Sequence, residues 1–131
     1  MKTGVQSFIF HKSEIQHYVQ MLGDSNPIYV SEENAKWYGY KTIPIPPVMP
    51  MIVYRSFDIP WTMQSPVILR KQQCTMHEKM YIDEVYTGFI SLTAVRVRKE
   101  QTFSKETLCL YNVEGSLCFR ATSQLISGEV L

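Results

Sequence analysis

The sequence predicts an α+β protein whose sheet is mostly antiparallel. Helix-like periodicity lies before residue 60, and strand-like alternation fills most of the chain after it. The strand-like runs lack the helical spacers of roughly 10–15 residues that parallel pairing requires. A chain of 131 residues has the usual size of one domain, so we expect a single domain over residues 1–131.

The composition indicates a globular protein and argues against some classes of partner. Hydrophobic residues make up 45% of the chain and charged residues 19%, as is typical of a globular protein. The formal net charge is +1, so we expect neither nucleic acid nor a membrane as a partner. No apolar run approaches the roughly 20 residues that cross a bilayer. The odd number of cysteines (Cys74, Cys109 and Cys118) fits no zinc or redox spacing, so we expect reduced thiols in a cytoplasmic protein.

The chain begins with a predicted strand over residues 5–10 and an amphipathic helix over residues 14–22. Ser13 is the expected N-cap of this helix, and Gly23 is the expected end. The apolar face has the spacing i, i+3, i+4 and i+7, at Ile15, Tyr18, Val19 and Leu22.

A polar elbow follows at residues 23–29, Gly-Asp-Ser-Asn-Pro-Ile-Tyr. Asn26 precedes proline and is therefore driven toward extended geometry, while Pro27 fixes its own φ and donates no N–H. A second, shorter helix is expected after Ser31, with Ala35 facing inward.

The next segment predicts a buried helix. Residues 41–47 contain three prolines and must form an extended connector. Residues 49–57 are largely apolar and predict a long central helix, whose first turn tolerates Pro50. Four further strands are expected over residues 67–77, 85–98, 102–113 and 116–126, with a hairpin turn at residues 112–115.

Several of these segments together carry a family resemblance. The elbow is followed by Ala35, by Tyr-Gly-Tyr at residues 38–40 and by Ile-Pro-Ile-Pro-Pro at residues 43–47. In this combination the sequence resembles the MaoC-like dehydratases, which include (R)-specific enoyl-CoA hydratases and 3-hydroxyacyl-thioester dehydratases. The family motif runs Gly-Asp-x-Asn-Pro-aliphatic-His, and here Tyr29 occupies the position of the histidine. The resemblance implies a hot-dog fold, in which an antiparallel sheet wraps around the central helix.

The resemblance also implies a site. Asp24, Asn26 and Tyr29 occupy the catalytic motif, where the family uses Asp and His to add water across an enoyl thioester. Backbone N–H groups at the start of the central helix would hold the thioester oxygen as charge develops. Prolines remove some donors there, and the N–H groups of Val48, Met49 and Met51 remain.

The tyrosine leaves alternatives open, because a phenol titrates near pH ~10 and is a weak base at neutrality. The protein is expected either to catalyse hydration with Asp24 and Tyr29 or to be a weak or inactive subunit that binds acyl thioesters and supports a His-bearing partner. A hot-dog thioesterase is a third alternative, with Asp58 or Glu78 as its acid. His77 is a further, weaker catalytic candidate.

The resemblance implies the partners as well. The substrate would be a thioester of coenzyme A or of an acyl carrier protein, and the chain would pair with itself or with a related hot-dog subunit. Arg55, Arg70 and Lys71 are candidates to meet coenzyme A phosphates or an acidic carrier protein. No metal-ligand spacing and no glycine-rich phosphate loop is present, so we expect no metal and no cofactor.

Overall fold

The computed structural model describes residues 1–131, except the side chain of Ala94. Its strands, in chain order, are β1 (Gln6–Ile9), β2 (Ile68–Met76), β3 (Val85–Arg98), β4 (Gln101–Tyr111) and β5 (Leu117–Ser127). They form one sheet in the order β1-β3-β4-β5-β2, and every neighbouring pair is antiparallel. The strands begin and end within two residues of the positions expected from sequence. The predicted α+β class is therefore confirmed.

The first helix, α1 (Lys12–Leu22), begins two residues earlier than expected. Its N-cap is His11 in an extended conformation, so the prediction of Ser13 was wrong. The reason is the Glu14 side chain, which accepts a hydrogen bond from the His11 N–H at 3.0 Å and thereby satisfies the backbone one turn earlier.

The predicted apolar face of α1 is correct at three of its four positions. Ile15 and Val19 are buried, and Tyr18 is half-buried. Leu22 is 65% exposed, so its assignment to the core was wrong. It is the last helical residue, and Gly23 then turns the chain away with φ 69°.

The second helix, α2 (Glu32–Trp37), agrees with its predicted cap and inward face. The Ser31 hydroxyl accepts a hydrogen bond from the Asn34 N–H at 3.1 Å, and Ala35 is fully buried. Gly39 follows the helix with φ 90°, a conformation that favours glycine.

The long central helix expected over residues 49–57 is present as a 3-10 helix over Met49–Ser56. Pro50 removes one backbone donor from its first turn, and Val48 precedes it with φ 71°. Within the helix, Met49 and Val53 are buried, whereas Arg55 is exposed. The helix therefore buries one face instead of being enclosed on all sides.

The core lies between the central helix, the N-terminal helices and one face of the sheet. Cross-strand pairing places Ile90, Leu108 and Ala121 in one row across β3, β4 and β5, and all three have 0% exposure. Alternate residues point to the opposite, outer face. One face of the sheet is thus covered by helices, as in the hot-dog fold.

The three cysteines are free, with Cys109 and Cys118 buried and Cys74 half-buried, as predicted. Burial raises the pKa of the Cys74 and Cys118 thiols, which disfavours their reactive thiolate forms. Among the described residues, no helix is long and apolar enough to span a bilayer.

The two edges of the sheet differ. Strand β1 has only four residues, which limits pairing with another chain. Strand β2 has nine residues, and its apolar start is open: Ile68 and Leu69 are 51% and 54% exposed. A long apolar edge of this kind favours association with another strand.

Gly88 provides a test of the packing within the sheet. A Cβ at this position would lie 2.4 Å from the Cys109 carbonyl oxygen and 2.4 Å from Leu110 Cδ2. We expect Gly88→Ala to lower the free energy of unfolding by about 1–3 kcal/mol, because the neighbouring strand must move. Urea denaturation measures the change. Gly4→Ala is the matched control, since its Cβ would meet nothing within 4 Å. Equal stability of both variants would contradict this packing.

Candidate active site

Consecutive side-chain-to-backbone hydrogen bonds build the elbow. Asp24 Oδ1 accepts a hydrogen bond from the Asn26 N–H at 2.9 Å. Asn26 Oδ1 in turn accepts from the Ile28 N–H at 3.2 Å and caps a single 3-10 turn at Pro27–Tyr29. Asn26 has φ −59° and ψ 123°, the extended geometry expected before proline. The acid and the carboxamide therefore fix the direction in which Tyr29 leaves the backbone.

Tyr29 is buried, with 6% of its surface exposed. Burial raises the pKa of its phenol, and the negative charge of Asp24 raises it further, with smaller effects from Tyr40 and Tyr18. The phenol therefore stays protonated through the neutral range. Such a group is suited to donate a proton or a hydrogen bond, and it is a poor general base.

The elbow and α1 enclose a cleft of about 280 Å³. Asp24, Asn26 and Tyr29 all line it, so the structure brings the three motif residues together. The remaining lining residues are Gln16, Val19, Gln20, Ser25 and Val30. Asp24 itself is exposed to solvent. The cleft thus joins an accessible carboxylate to a buried, protonated phenol.

The three backbone donors predicted at the central helix do not line this cleft. The Met49 N–H donates to the Pro46 carbonyl at 3.2 Å, and the Met51 N–H donates to the Val48 carbonyl at 2.9 Å. Among the described residues, the Val48 N–H has no backbone acceptor. Val48 also adopts φ 71°, which is strained for a β-branched side chain. Of the three predicted donors, Val48 remains available to a ligand.

A sequence model of the family "FAS1-like, dehydratase domain region" matches residues 1–120. The chain belongs to this family. The matched region contains the elbow, the central helix and most of the sheet. The resemblance to MaoC-like and (R)-hydratase proteins is confirmed by the family match together with the solved structures of similar fold. No curated protein matches the sequence.

Three solved structures show that this FAS1-like dehydratase chain has the hot-dog fold. The C-terminally truncated HadBC (3R-hydroxyacyl-ACP dehydratase) complex from Mycobacterium tuberculosis has a TM-score of 0.78 and 17% identity, over 97% of this chain and 95% of that chain. The (R)-hydratase from A. caviae has a TM-score of 0.76 and 15% identity, over 95% and 92%. The MaoC-like dehydratase from Rhodospirillum rubrum has a TM-score of 0.79 and 12% identity, over 98% and 91%.

One buried acid of the chain was missed in the sequence. Glu106 is 8% exposed on the inner face of β4, where its carboxylate accepts hydrogen bonds from the Tyr54 hydroxyl and from Trp61 Nε1, the latter at 2.8 Å. A signal was present, because the alternation of β4 puts Glu106 in phase with the buried Leu108. Asp58 and Glu78, the acids considered for a thioesterase, are both exposed.

The histidines lie outside the cleft around Asp24. His11 and His17 are exposed, as their positions beside and on α1 predict. His77 is also exposed, just after β2, and its backbone N–H donates to the Cys118 carbonyl at 2.7 Å. The structure therefore provides no imidazole next to Tyr29.

The contact between Tyr54 and Glu106 predicts a loss of stability at alkaline pH. Burial first, and then the bond to Glu106, raise the pKa of Tyr54 in the folded state above its unfolded value of about 10. A raised pKa contributes stability that is complete below pH ~10 and is lost as pH rises toward the folded value. The wild-type free energy of unfolding should therefore fall above pH ~10, by up to about 1.4 kcal/mol per pH unit from this group.

Urea denaturation at pH 9 and pH 11 measures this loss. Tyr54→Phe should show a smaller loss between the two pH values than the wild type, because one titrating group is gone. Tyr38→Phe is the control, since Tyr38 is 59% exposed. An equal loss in Tyr54→Phe and the wild type would exclude this contribution of Tyr54.

Proposed function

We propose that this protein is a hydratase or dehydratase of enoyl and 3-hydroxyacyl thioesters, with coenzyme A or an acyl carrier protein as the carrier. The observation that supports it is the cleft in which Asp24 and Tyr29 face the same space, within a chain of a dehydratase family. Asn26 is a positioning residue, because both of its hydrogen bonds hold the elbow.

The proposed hydration step uses the two groups in different roles. Asp24 accepts a proton from the attacking water, and the new C–O bond forms at C3 of the enoyl group. The electron pair of the C2–C3 double bond moves toward the thioester oxygen, and the phenol of Tyr29 protonates C2. Asp24 then returns its proton to the phenolate. The raised pKa keeps Tyr29 protonated at neutral pH, so that a proton is present for this step.

The thioester oxygen needs a hydrogen-bond donor while charge develops on it. The Val48 N–H supports this role, because it has no backbone acceptor among the described residues and precedes the central helix. Since Val48 does not line the cleft of its own chain, we propose that a second hot-dog chain supplies this donor across the dimer. Met49 and Met51 would contact the acyl group through their side chains. The free cysteines support a cytoplasmic location.

The first test is hydration of short and medium enoyl-CoA thioesters by the purified wild type. Asp24→Asn should lower kcat by about 10²-fold or more, because a positioned proton acceptor is lost. Tyr29→Phe should also lower kcat and leave the thermal stability close to that of the wild type. Tyr29→His should raise kcat, because imidazole titrates near neutral pH.

His17→Gln is the matched control, since His17 is exposed on α1 away from the cleft. Wild-type turnover that survives Asp24→Asn would overturn the assigned roles. A folded wild type with no turnover, which gains activity only when mixed with a His-bearing hot-dog chain, would instead identify the binding-subunit alternative. The buried, protonated state of Tyr29 is the observation that favours this alternative.

The open edge of β2 leads to a prediction about assembly. We expect a dimer, and Leu69→Lys should convert it to a monomer, because a lysine placed on an edge strand opposes edge pairing. Size-exclusion chromatography with light scattering measures the mass. Val113→Lys is the control, because Val113 is 80% exposed at the β4–β5 hairpin. A dimer that persists in Leu69→Lys would place the interface elsewhere.

A further inference from the structure

The outer face of the sheet carries a second cleft, of about 570 Å³, roughly twice the size of the one beside Asp24. It crosses strands β3, β4, β5 and β2, and three of its lining residues are the cations Arg70, Arg96 and Lys105. All three are exposed, and no acidic residue lines the cleft. We name this feature the cationic cleft.

The cations of the cleft are free of ion pairs among the described residues. The ion pairs of the described chain involve His11, Lys36 and Lys41, which lie in other elements. Arg96 instead lies over the Phe103 ring, with its guanidinium 5.7 Å from the ring centroid. The positive charge of the cleft is therefore available to an external anion.

Strand register sets the spacing of the charges. Gln124 pairs with Lys105 on one side and with Lys71 on the other, so these three side chains share one face in one row. Since adjacent strands lie about 4.8 Å apart, the two lysines are separated by about 10 Å. Arg96 and Phe103 pair with each other in the next row on that face, about 7 Å along the strands.

This end of the sheet concentrates charge in a nearly neutral molecule. Six of the chain's 13 lysines and arginines fall here: Arg70, Lys71, Arg96, Arg98, Lys99 and Lys105. The acids of this end are Glu100, in the β3–β4 turn, Glu129, two residues after β5, and Glu106, which faces the interior. A local positive field of this kind attracts a negatively charged partner and orients its approach.

The form of the cleft favours a protein over a small phosphorylated ligand. Phosphate sites usually present backbone N–H groups at a helix N-terminus or a loop. Here the donors are the long, exposed side chains of Arg70, Arg96 and Lys105, on three different strands whose backbone pairs within the sheet. Exposed apolar residues adjoin them, namely Val95 (49% exposed) and Ile68 (51% exposed). Apolar contacts beside spaced charges are typical of a protein interface.

We propose that the cationic cleft docks the acidic face of a carrier protein, so that the thioester substrate arrives on an acyl carrier protein. This inference rests on the proposed function, which requires a thioester carrier. Arg70, which the sequence made a candidate for contact with coenzyme A phosphates or an acidic carrier protein, lies in the cleft together with Arg96 and Lys105, whereas Lys71 does not line it. Arg55, the other arginine marked in that way, lies on the central helix and outside it.

The test is binding of a fluorescently labelled, holo form of an acyl carrier protein, measured by anisotropy at 50 and 500 mM NaCl. The wild type should bind more tightly at the lower salt concentration, because exposed charges are screened less there. Arg70→Glu, Arg96→Glu and Lys105→Glu should each raise the Kd about 3–10-fold at the lower salt concentration. Lys12→Glu is the matched control, with the same change of charge on exposed α1. Circular dichroism verifies that every variant is folded.

Equal Kd values for the cleft variants and Lys12→Glu would overturn the proposal, as would wild-type binding that does not depend on salt. Two further outcomes would also overturn it. A raised KM for enoyl-CoA in the cleft variants would show that the cleft binds the phosphates of coenzyme A. If the wild type binds a 20-base-pair DNA duplex and the cleft variants do not, the partner of the cleft is nucleic acid.

Hydration of enoyl-CoA separates this proposal from the proposed function. Turnover of enoyl-CoA without salt-dependent carrier binding would overturn the docking surface and leave the activity standing. Carrier binding that depends on the cleft, without turnover of any thioester, would support the docking surface and overturn the activity.

Discussion

The carboxylate of Glu106 fixes how the central helix lies on the sheet. It is buried on β4 and accepts hydrogen bonds from Tyr54, within the 3-10 helix, and from Trp61, in the segment after it. A buried acid is costly unless such partners satisfy it, so the contact defines one position for both segments. A short 3-10 helix has weak hydrogen-bond geometry of its own, and this anchor supplements its apolar contacts.

The elbow achieves its geometry by a different means, since its polar groups are local. Asp24 and Asn26 each bind a backbone N–H two residues ahead, which stiffens the segment without any partner from the sheet. Tyr29 then enters the core, where the loss of water and the charge of Asp24 keep its phenol protonated. The elbow therefore presents an acceptor and a donor side by side. An imidazole at the same position would combine both roles in one ring.

Charge and apolar surface are distributed unevenly over the sheet. One face is covered by helices, while the outer face carries the cationic cleft, and the β2 edge exposes apolar residues. The single chain also separates the Asp24 cleft from the free Val48 donor. These features are consistent with a protein that works together with other chains, since an open edge and an unneutralised cleft are surfaces that partners commonly occupy.

The sequence by itself determined the α+β class, the limits of every strand to within two residues, the cap of α2 and the elbow, because these depend on periodicity, proline and short-range hydrogen bonds. Tertiary structure decided the rest. Residues 49–57 look helical by composition, but the type of helix, a 3-10 helix over Met49–Ser56, is seen only in the structure. Glu106 and the cationic cleft were not found, since burial of an acid and the gathering of Arg70, Arg96 and Lys105 arise only when strands distant in sequence pair. Sequence patterns report on residues that are close along the chain, whereas these sites are formed by residues that become neighbours only across the sheet.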